Sequence, residues 1–212
     1  MSILYILIAV ITAYILGSIP SAVWAGKLIH GIDVREHGSG NAGATNVIRV
    51  LGWQTGVPVL LFDMVKGCVA ALIPILFHLA PEGNALLVNL QILTGFTAII
   101  GHIFPVFAGF RGGKGVATMF GVLVAIHPAV TFVCLGVFLL VFLVTGIVSM
   151  SSMAAGIAFP VFLLTVFDTP SLLFKIFSVF VAVALLITHR KNISRLLKGE
   201  EKKLFRKKPK SE

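Results

Sequence analysis

Charge is what this 212-residue chain lacks: seventeen Lys and Arg with eight Asp and Glu make up 12% of it, against 58% hydrophobic residues. So few charges cannot solvate the surface of a water-soluble protein this rich in Leu, Val, Ile and Phe, which excludes the soluble classes and implies a bilayer. Cysteine is nearly absent. Cys68 and Cys134 both lie inside apolar runs with no zinc-like or redox spacing, so neither a disulfide scaffold nor a thiol centre is expected. The acidic residues form no cluster of metal-site spacing, and activity without a divalent ion or organic cofactor is expected. Strand-like alternation is missing from the apolar runs, which removes a transmembrane barrel. No soluble domain, useful internal repeat or long linker interrupts the chain.

What is present is a series of apolar runs near residues 3–24, 57–79, 86–104, 129–148, 152–167 and 171–187, most of them long enough to cross a hydrocarbon core as helix. The first has no basic n-region and reads as a retained helix kinked at Pro20, not as a signal peptide. Residues 116–148 are too long for one crossing and are interrupted at His127-Pro128, a helix boundary because the residue before proline avoids the α region. A short helix over about 116–126 followed by a second one gives an all-α integral membrane protein of seven transmembrane helices, N-terminus outside and C-terminus cytoplasmic. With that count, fifteen of the seventeen Lys and Arg share one face, the exceptions being Lys66 in a span and Lys175 opposite. This arrangement satisfies the positive-inside rule. Residues 1–188 then form a single polytopic domain with cytoplasmic motif loops at 25–56 and 105–115, and 189–212 form a basic tail. That tail holds ten Lys and Arg against three Glu, +7, while the rest holds seven against five, +2. A polybasic segment directly after an apolar run reads as an anchor beside anionic lipid and not as a nucleic-acid site. Everything after Gly199 is read as such an anchor.

Polar residues concentrate in three pieces on that face. Gly38-Ser39-Gly40-Asn41-Ala42-Gly43-Ala44-Thr45-Asn46 contains a GxGxxG pattern, but apolar helices flank it where a dinucleotide site needs a strand and a crossover. Backbone N–H groups at Gly38, Gly40 and Gly43, short side chains at Ser39, Asn41, Thr45 and Asn46, and the charge of Arg49 suit an oxyanion or phosphate nest. The second piece runs from Gly101-His102 to Gly112-Gly113-Lys114-Gly115. It is no Walker loop, since Gly115 stands where Ser or Thr is needed. Glycine N–H donors, the Lys114 charge and the start of a helix near Val116 nevertheless converge. The third, His189-Arg190-Lys191-Asn192, continues the last helix into water, with His189 and Asn192 on one side and Ile193, Leu196 and Leu197 forming a membrane-surface stripe. Asp63 and Lys66, one turn apart in the second span, are expected to pair and support the site. For His102 a buried structural role and a catalytic one stay open.

In this order and spacing, the three segments resemble the acyl-phosphate:glycerol-3-phosphate acyltransferases of the bacterial cytoplasmic membrane, over essentially the whole chain. The resemblance implies transfer of a fatty acyl group from acyl phosphate to the 1-hydroxyl of glycerol 3-phosphate. The products would be lysophosphatidate and orthophosphate, in the first acylation step of phospholipid synthesis. Ser39, Asn41, Thr45, Asn46, Arg49, Lys114, His189 and Asn192 are the implied catalytic set. Gly40, Gly43, Gly112, Gly113 and Gly115 join Arg49, Lys114 and His189 in binding substrate, and Asp63, Lys66 and His102 give support. Arg49, Lys114 and His189 would hold phosphates, with glycine N–H groups stabilising the oxyanion. Implied partners are the two substrates, membrane lipid and an upstream enzyme that forms acyl phosphate. Two rivals stand beside this. A mechanism with Asp five positions after His has no match in the chain. A secondary transporter for an organic phosphate would place its binding groups near the midplane.

Overall fold

A computed structural model of the chain describes residues 3–167, 169 and 171–204, and every regular element among them is helical. The expected first span is two helices, α1 (Ile3–Gly17) and α2 (Ser21–His30). Pro20 lacks an N–H and disfavours helical backbone at Ile19, so the chain breaks there. α2 runs on past the expected end at residue 24 and closes on Gly31 in the left-handed conformation, φ 68°. The segment expected as a loop is mostly built: a 3-10 turn at Val34–Glu36 precedes α3 (Ala44–Leu51), and α4 (Trp53–Leu76) follows directly. Then come α5 (Ala85–Ile103), a second 3-10 turn at Val106–Ala108, and α6 (Val116–Ile126). The chain continues as α7 (Pro128–Thr145), α8 (Val148–Thr165), α9 (Leu172–Thr188) and α10 (Arg190–Leu197). The boundary between α6 and α7 falls at His127, where Pro128 takes the first helical position and its missing N–H costs no helix bond.

Five segments are long and apolar enough to cross a membrane: Ile3–His30, Trp53–Leu76, Ala85–Ala108, Pro128–Thr145 and Val148–Thr165. α9 and α10, bent 60° apart, supply a sixth if taken as one. α6 is a shorter apolar helix of eleven residues, about 16 Å long at the usual rise per residue.

Lipid tails are as apolar as leucine, so burial alone cannot hold such helices together, and small residues supply the close packing that does. A Cβ on Gly67 would collide with the Thr118 carbonyl and one on Gly121 with the Met64 carbonyl, so α4 and α6 meet backbone to backbone. Gly17 lies likewise against Ala98, and Gly101 against the Tyr14 carbonyl, which locks α1 to α5. Val130, Phe159, Leu163 and Phe174 form a buried cluster among α7, α8 and α9. Leu143 and Val144, at 80% and 86% exposure, face outward as lipid-contacting residues do. The locking of α4, α5 and α6 matters for the site: it fixes Asp63 and Lys66, His102, and the start of α6 just after Lys114 in one rigid block.

Candidate active site

The first motif is wound around Asn46, the first fully buried polar side chain of the loop region. Its Oδ1 accepts from the Ser39 backbone N–H at 2.8 Å and from the Ser39 hydroxyl at 3.1 Å. Its amide nitrogen donates to the carbonyls of Val34 at 2.8 Å and His37 at 3.1 Å. Both donors and both acceptor positions are used within the loop, so Asn46 holds its shape. Gly38 is required because a Cβ there would strike the Asn46 oxygen, and its φ of 64° is left-handed. Asn41 and Thr45 are half-buried, and the Asn41 side-chain oxygen lies over Gly43, 2.8 Å from where a Cβ would be.

The second motif returns on the end of α5. Gly112 N–H donates to the Ile103 carbonyl at 3.0 Å and Gly113 N–H to the His102 carbonyl at 3.2 Å, while Gly40 N–H donates to the His37 carbonyl at 3.0 Å. The expectation that Gly40, Gly112 and Gly113 present free N–H donors is therefore corrected. A helix C-terminus leaves carbonyls without partners, and the loop supplies two of them. Glycine is needed here for space: a Cβ on Gly112 would overlap the His102 carbonyl, and one on Gly113 the His102 ring. Gly115 caps α6 with φ 76°.

Beneath this loop Asp63 and Lys66 form the expected pair, Nζ to Oδ1 at 2.7 Å, each side chain 1% exposed. Asp63 Oδ1 also accepts from the Ser21 hydroxyl at 2.8 Å, and His102 Nδ1 stands 3.5 Å away without a hydrogen-bond partner. Lys66 Nζ donates in addition to the Ile19 carbonyl, 2.9 Å away at the break between α1 and α2.

The third motif meets the second directly, through a hydrogen bond from Lys114 Nζ to Asn192 Oδ1. Asn192 Nδ2 donates to Glu201 Oε1 at 2.6 Å, as does the Ser149 hydroxyl at 2.8 Å, and Arg195 Nε donates to Glu201 Oε2 at 2.6 Å. Arg49 reaches the same segment, Nη2 to the Lys202 carbonyl at 2.9 Å, while its Nε is buried and unpartnered. Leu204 N–H closes the segment onto the Gly146 carbonyl at 2.9 Å. The reading of everything after Gly199 as a basic anchor is thus corrected for 200–204: three cations gather here, and the one carboxylate that approaches them is drawn in. The remainder of the basic tail lies outside the described residues.

Among the described residues three cations, Lys114, Arg49 and Arg195, face the single carboxylate of Glu201. Burial, with Arg195 and Arg49 adding to it and Glu201 opposing, pulls Lys114 down to about 8. Arg49 is lowered from its ordinary value, first by burial. Burial pushes Glu201 up, but hydrogen bonds from Arg195, Asn192 and Ser149 outweigh it and hold the carboxyl below its usual range. Burial, and then the Lys114 charge, pull His189 down to about 4. Its Nδ1 lies 2.9 Å from the Leu185 carbonyl, which only accepts, so Nδ1 carries the proton and Nε2 is an acceptor. Burial therefore favours the neutral form of His189, in which Nε2 is the acceptor.

Sequence reasoning missed Glu201, Arg195 and Ser149, together with Asp33 and Arg35 beside the first motif. Glu200 and Glu201 are the only acids between Asp168 and the chain's last residue, a signal that an acid is set against the basic cluster. Nothing local points to Ser149. Among the described residues no group of three or more His, Cys, Asp or Glu is placed to hold a metal ion.

A family model described as glycerol-3-phosphate acyltransferase matches residues 7–199. The chain is 42% identical to the glycerol-3-phosphate acyltransferase of Chlorobium phaeobacteroides (strain BS1), covering 94% of this chain and 96% of that one. It is 43% identical to that of Chlorobaculum tepidum, covering 92% and 94%. Two crystal structures of PlsY, an integral membrane glycerol 3-phosphate acyltransferase, are similar at 38% identity over 93% of this chain and 94% of theirs. The TM-scores are 0.81 for the glycerol 3-phosphate form and 0.80 for the lysophosphatidic acid form.

Proposed function

The chain belongs to the glycerol-3-phosphate acyltransferase family, and from that premise we propose that it transfers a fatty acyl group from acyl phosphate to the 1-hydroxyl of glycerol 3-phosphate. Lysophosphatidate and orthophosphate are the products, in the first acylation step of phospholipid synthesis. The observation that carries this reading is the meeting of the three motifs, Lys114 on Asn192 and Arg49 on Lys202, around more positive than negative charge. Both substrates carry phosphate, and an excess of cations in a half-buried site is what such ligands require. Lys114 and Arg49 hold phosphate. Asn192, Ser39, Asn41 and Thr45 orient the substrates, and neutral His189 offers Nε2 to a hydroxyl. Asn46, Asp63, Lys66 and His102 keep the loops in place, Gly112, Gly113 and Gly115 let the second loop close on α5, and the backbone at Gly40 and Gly43 lies beside substrate. The acyl chain lies along lipid-facing helix surfaces.

In the reaction the glycerol C1 oxygen attacks the acyl carbonyl carbon, the bond from that carbon to the bridging phosphate oxygen breaks, and orthophosphate leaves. Acyl phosphate is an activated anhydride, so little base catalysis is needed. His189 at about 4 is a weaker base than a phosphate monoester with a second pKa of about 6. The hydroxyl proton therefore passes to the phosphate of glycerol 3-phosphate, and no acyl-enzyme forms. Rapid quench with labelled acyl phosphate and no acceptor tests this step; a label on Ser39 that then transfers at a competent rate would refute it.

The topology that serves this reaction has seven crossings, with α1 and α2 counted as one and α6 as the short one. The N-terminus lies outside, and the three motifs face the cytoplasm of a bacterial inner membrane. An upstream enzyme forming acyl phosphate supplies the donor. Single cysteines at Ser39, Glu82 and Gly109, in a background without Cys68 and Cys134, should be labelled from outside only at 82; labelling at 39 or 109 in intact cells inverts the arrangement. The decisive assay incubates the purified protein with acyl phosphate and glycerol 3-phosphate and measures lysophosphatidate. A transporter would make none.

A further inference from the structure

One side chain spans the first two motif loops, and it belongs to neither motif. Arg35, in the 3-10 turn before the first motif, presents Nε to Asp33 Oδ1 at 2.9 Å and Nη2 to Asp33 Oδ2 at 2.7 Å. Asp33 Oδ1 also accepts from the Arg35 backbone N–H at 3.0 Å, and Lys27 lies 3.4 Å from Oδ2. This two-point pairing fixes the guanidinium plane and leaves Nη1 facing away from Asp33. Nη1 donates to the carbonyls of Ala108 at 2.8 Å and Arg111 at 3.2 Å.

Those two carbonyls bracket the residues at which the second loop reverses. Gly109 has φ 62° and Phe110 φ 59°. Glycine occupies that conformation freely, but an aromatic residue there is strained. Nothing buries the Phe110 ring in compensation, since it is 58% exposed. Arg111, Gly112, Gly113 and Lys114 follow immediately. The other end of this stretch is pinned to α5 through Gly112 and Gly113, and Phe110 N–H donates to the Pro105 carbonyl at 2.9 Å, so what Arg35 adds is the tie that joins the strained turn to the first loop.

We propose that Arg35, oriented by Asp33, is a positioning residue that clamps the Gly109-Phe110 turn and thereby sets where Lys114 meets the glycerol 3-phosphate phosphate. The inference rests on the assignment of Lys114 to phosphate and takes that phosphate to be the one on glycerol 3-phosphate. Lysine cannot replace Arg35, because a single ammonium cannot pair two-point with Asp33 and reach two carbonyls on its far side.

The test uses the full-length protein and reads KM for each substrate alongside kcat. Arg35→Lys should raise KM for glycerol 3-phosphate about tenfold while leaving kcat and KM for acyl phosphate within about twofold, the pattern of a displaced binding group. In that background Phe110→Gly, which relieves the left-handed strain, should restore KM to within about threefold of the parent. Phe110→Ala removes the ring but not the strain and should restore nothing. An unchanged KM in Arg35→Lys while Lys114→Ala is inactive would overturn the clamp. So would rescue by alanine equal to that by glycine, or an equal loss in every kinetic constant with a lowered unfolding temperature. A parental KM in Lys114→Ala would instead refute the phosphate assignment, and the clamp would fall with it.

Discussion

Two charge networks in this molecule, one buried and one half-buried, differ in balance. The buried one sets Asp63 against Lys66, one negative and one positive charge at 2.7 Å. Ser21 and the Ile19 carbonyl complete their hydrogen bonds. The half-buried one sets Lys114, Arg49 and Arg195 around the lone carboxylate of Glu201. A closed pair inside a membrane span neutralises itself and serves the fold; a surplus of half-buried cations is tolerated only where water or an anionic substrate completes the balance. The comparison separates scaffold from site without reference to motifs.

The largest expected effects would break that separation if they failed to appear. Lys114→Ala should lower activity by about a thousandfold or more with the protein still inserted, because it removes a charge that acts on substrate. Lys66→Met should instead unfold the protein, since leaving Asp63 unpaired costs about 3–5 kcal/mol. The double change Asp63→Asn, Lys66→Met should recover most of that stability. A stable and inactive Lys66→Met, seen in an unfolding assay beside the activity assay, would move the buried network into the site.

The pH profile sharpens the contrast next. With Lys114 at about 8, its charge is present below that pH and lost above it. The kcat/KM for glycerol 3-phosphate should therefore fall as pH rises through about 8. Lys114→Arg should move that limb beyond the measurable range. A smaller effect is expected from Glu201→Gln: an activity loss of about tenfold, with the limb displaced to lower pH because Glu201 favours the charged lysine. Displacement upward would mean that Glu201 does not act on Lys114. The smallest effect is none at all. Turnover should be undiminished by chelation, and its abolition, restored by one metal, would require a ligand set that the described residues do not assemble from His, Cys, Asp and Glu.

Much of the fold was legible in the chain itself. The break before Ser21 and the boundary at His127-Pro128 follow from proline geometry, which acts over one or two residues, while the separation of α7 from α8, expected at 148–152, falls earlier at the left-handed Gly146. Residues 31–52 were less legible. Their order comes from Asn46, whose four hydrogen bonds reach seven to twelve residues back along the chain, and no periodicity announces a side chain that organises a loop in that way.

The sequence by itself determined the membrane class, the helical architecture and the three polar segments, because hydropathy, chain breaking and residue chemistry are properties of short stretches. Only the tertiary structure decided which groups answer one another. Lys114 meets Asn192 across 78 residues, Arg35 meets the Ala108 carbonyl across 73, and Ser149 meets Glu201 across 52. Those meetings depend on where α4, α5 and α6 are locked by Gly67, Gly95 and Gly121. The same packing spends glycine N–H groups on α5, neutralises His189 by burial and turns Glu201 inward. Each of these is set by the distance and dielectric between segments, which no single stretch of chain contains.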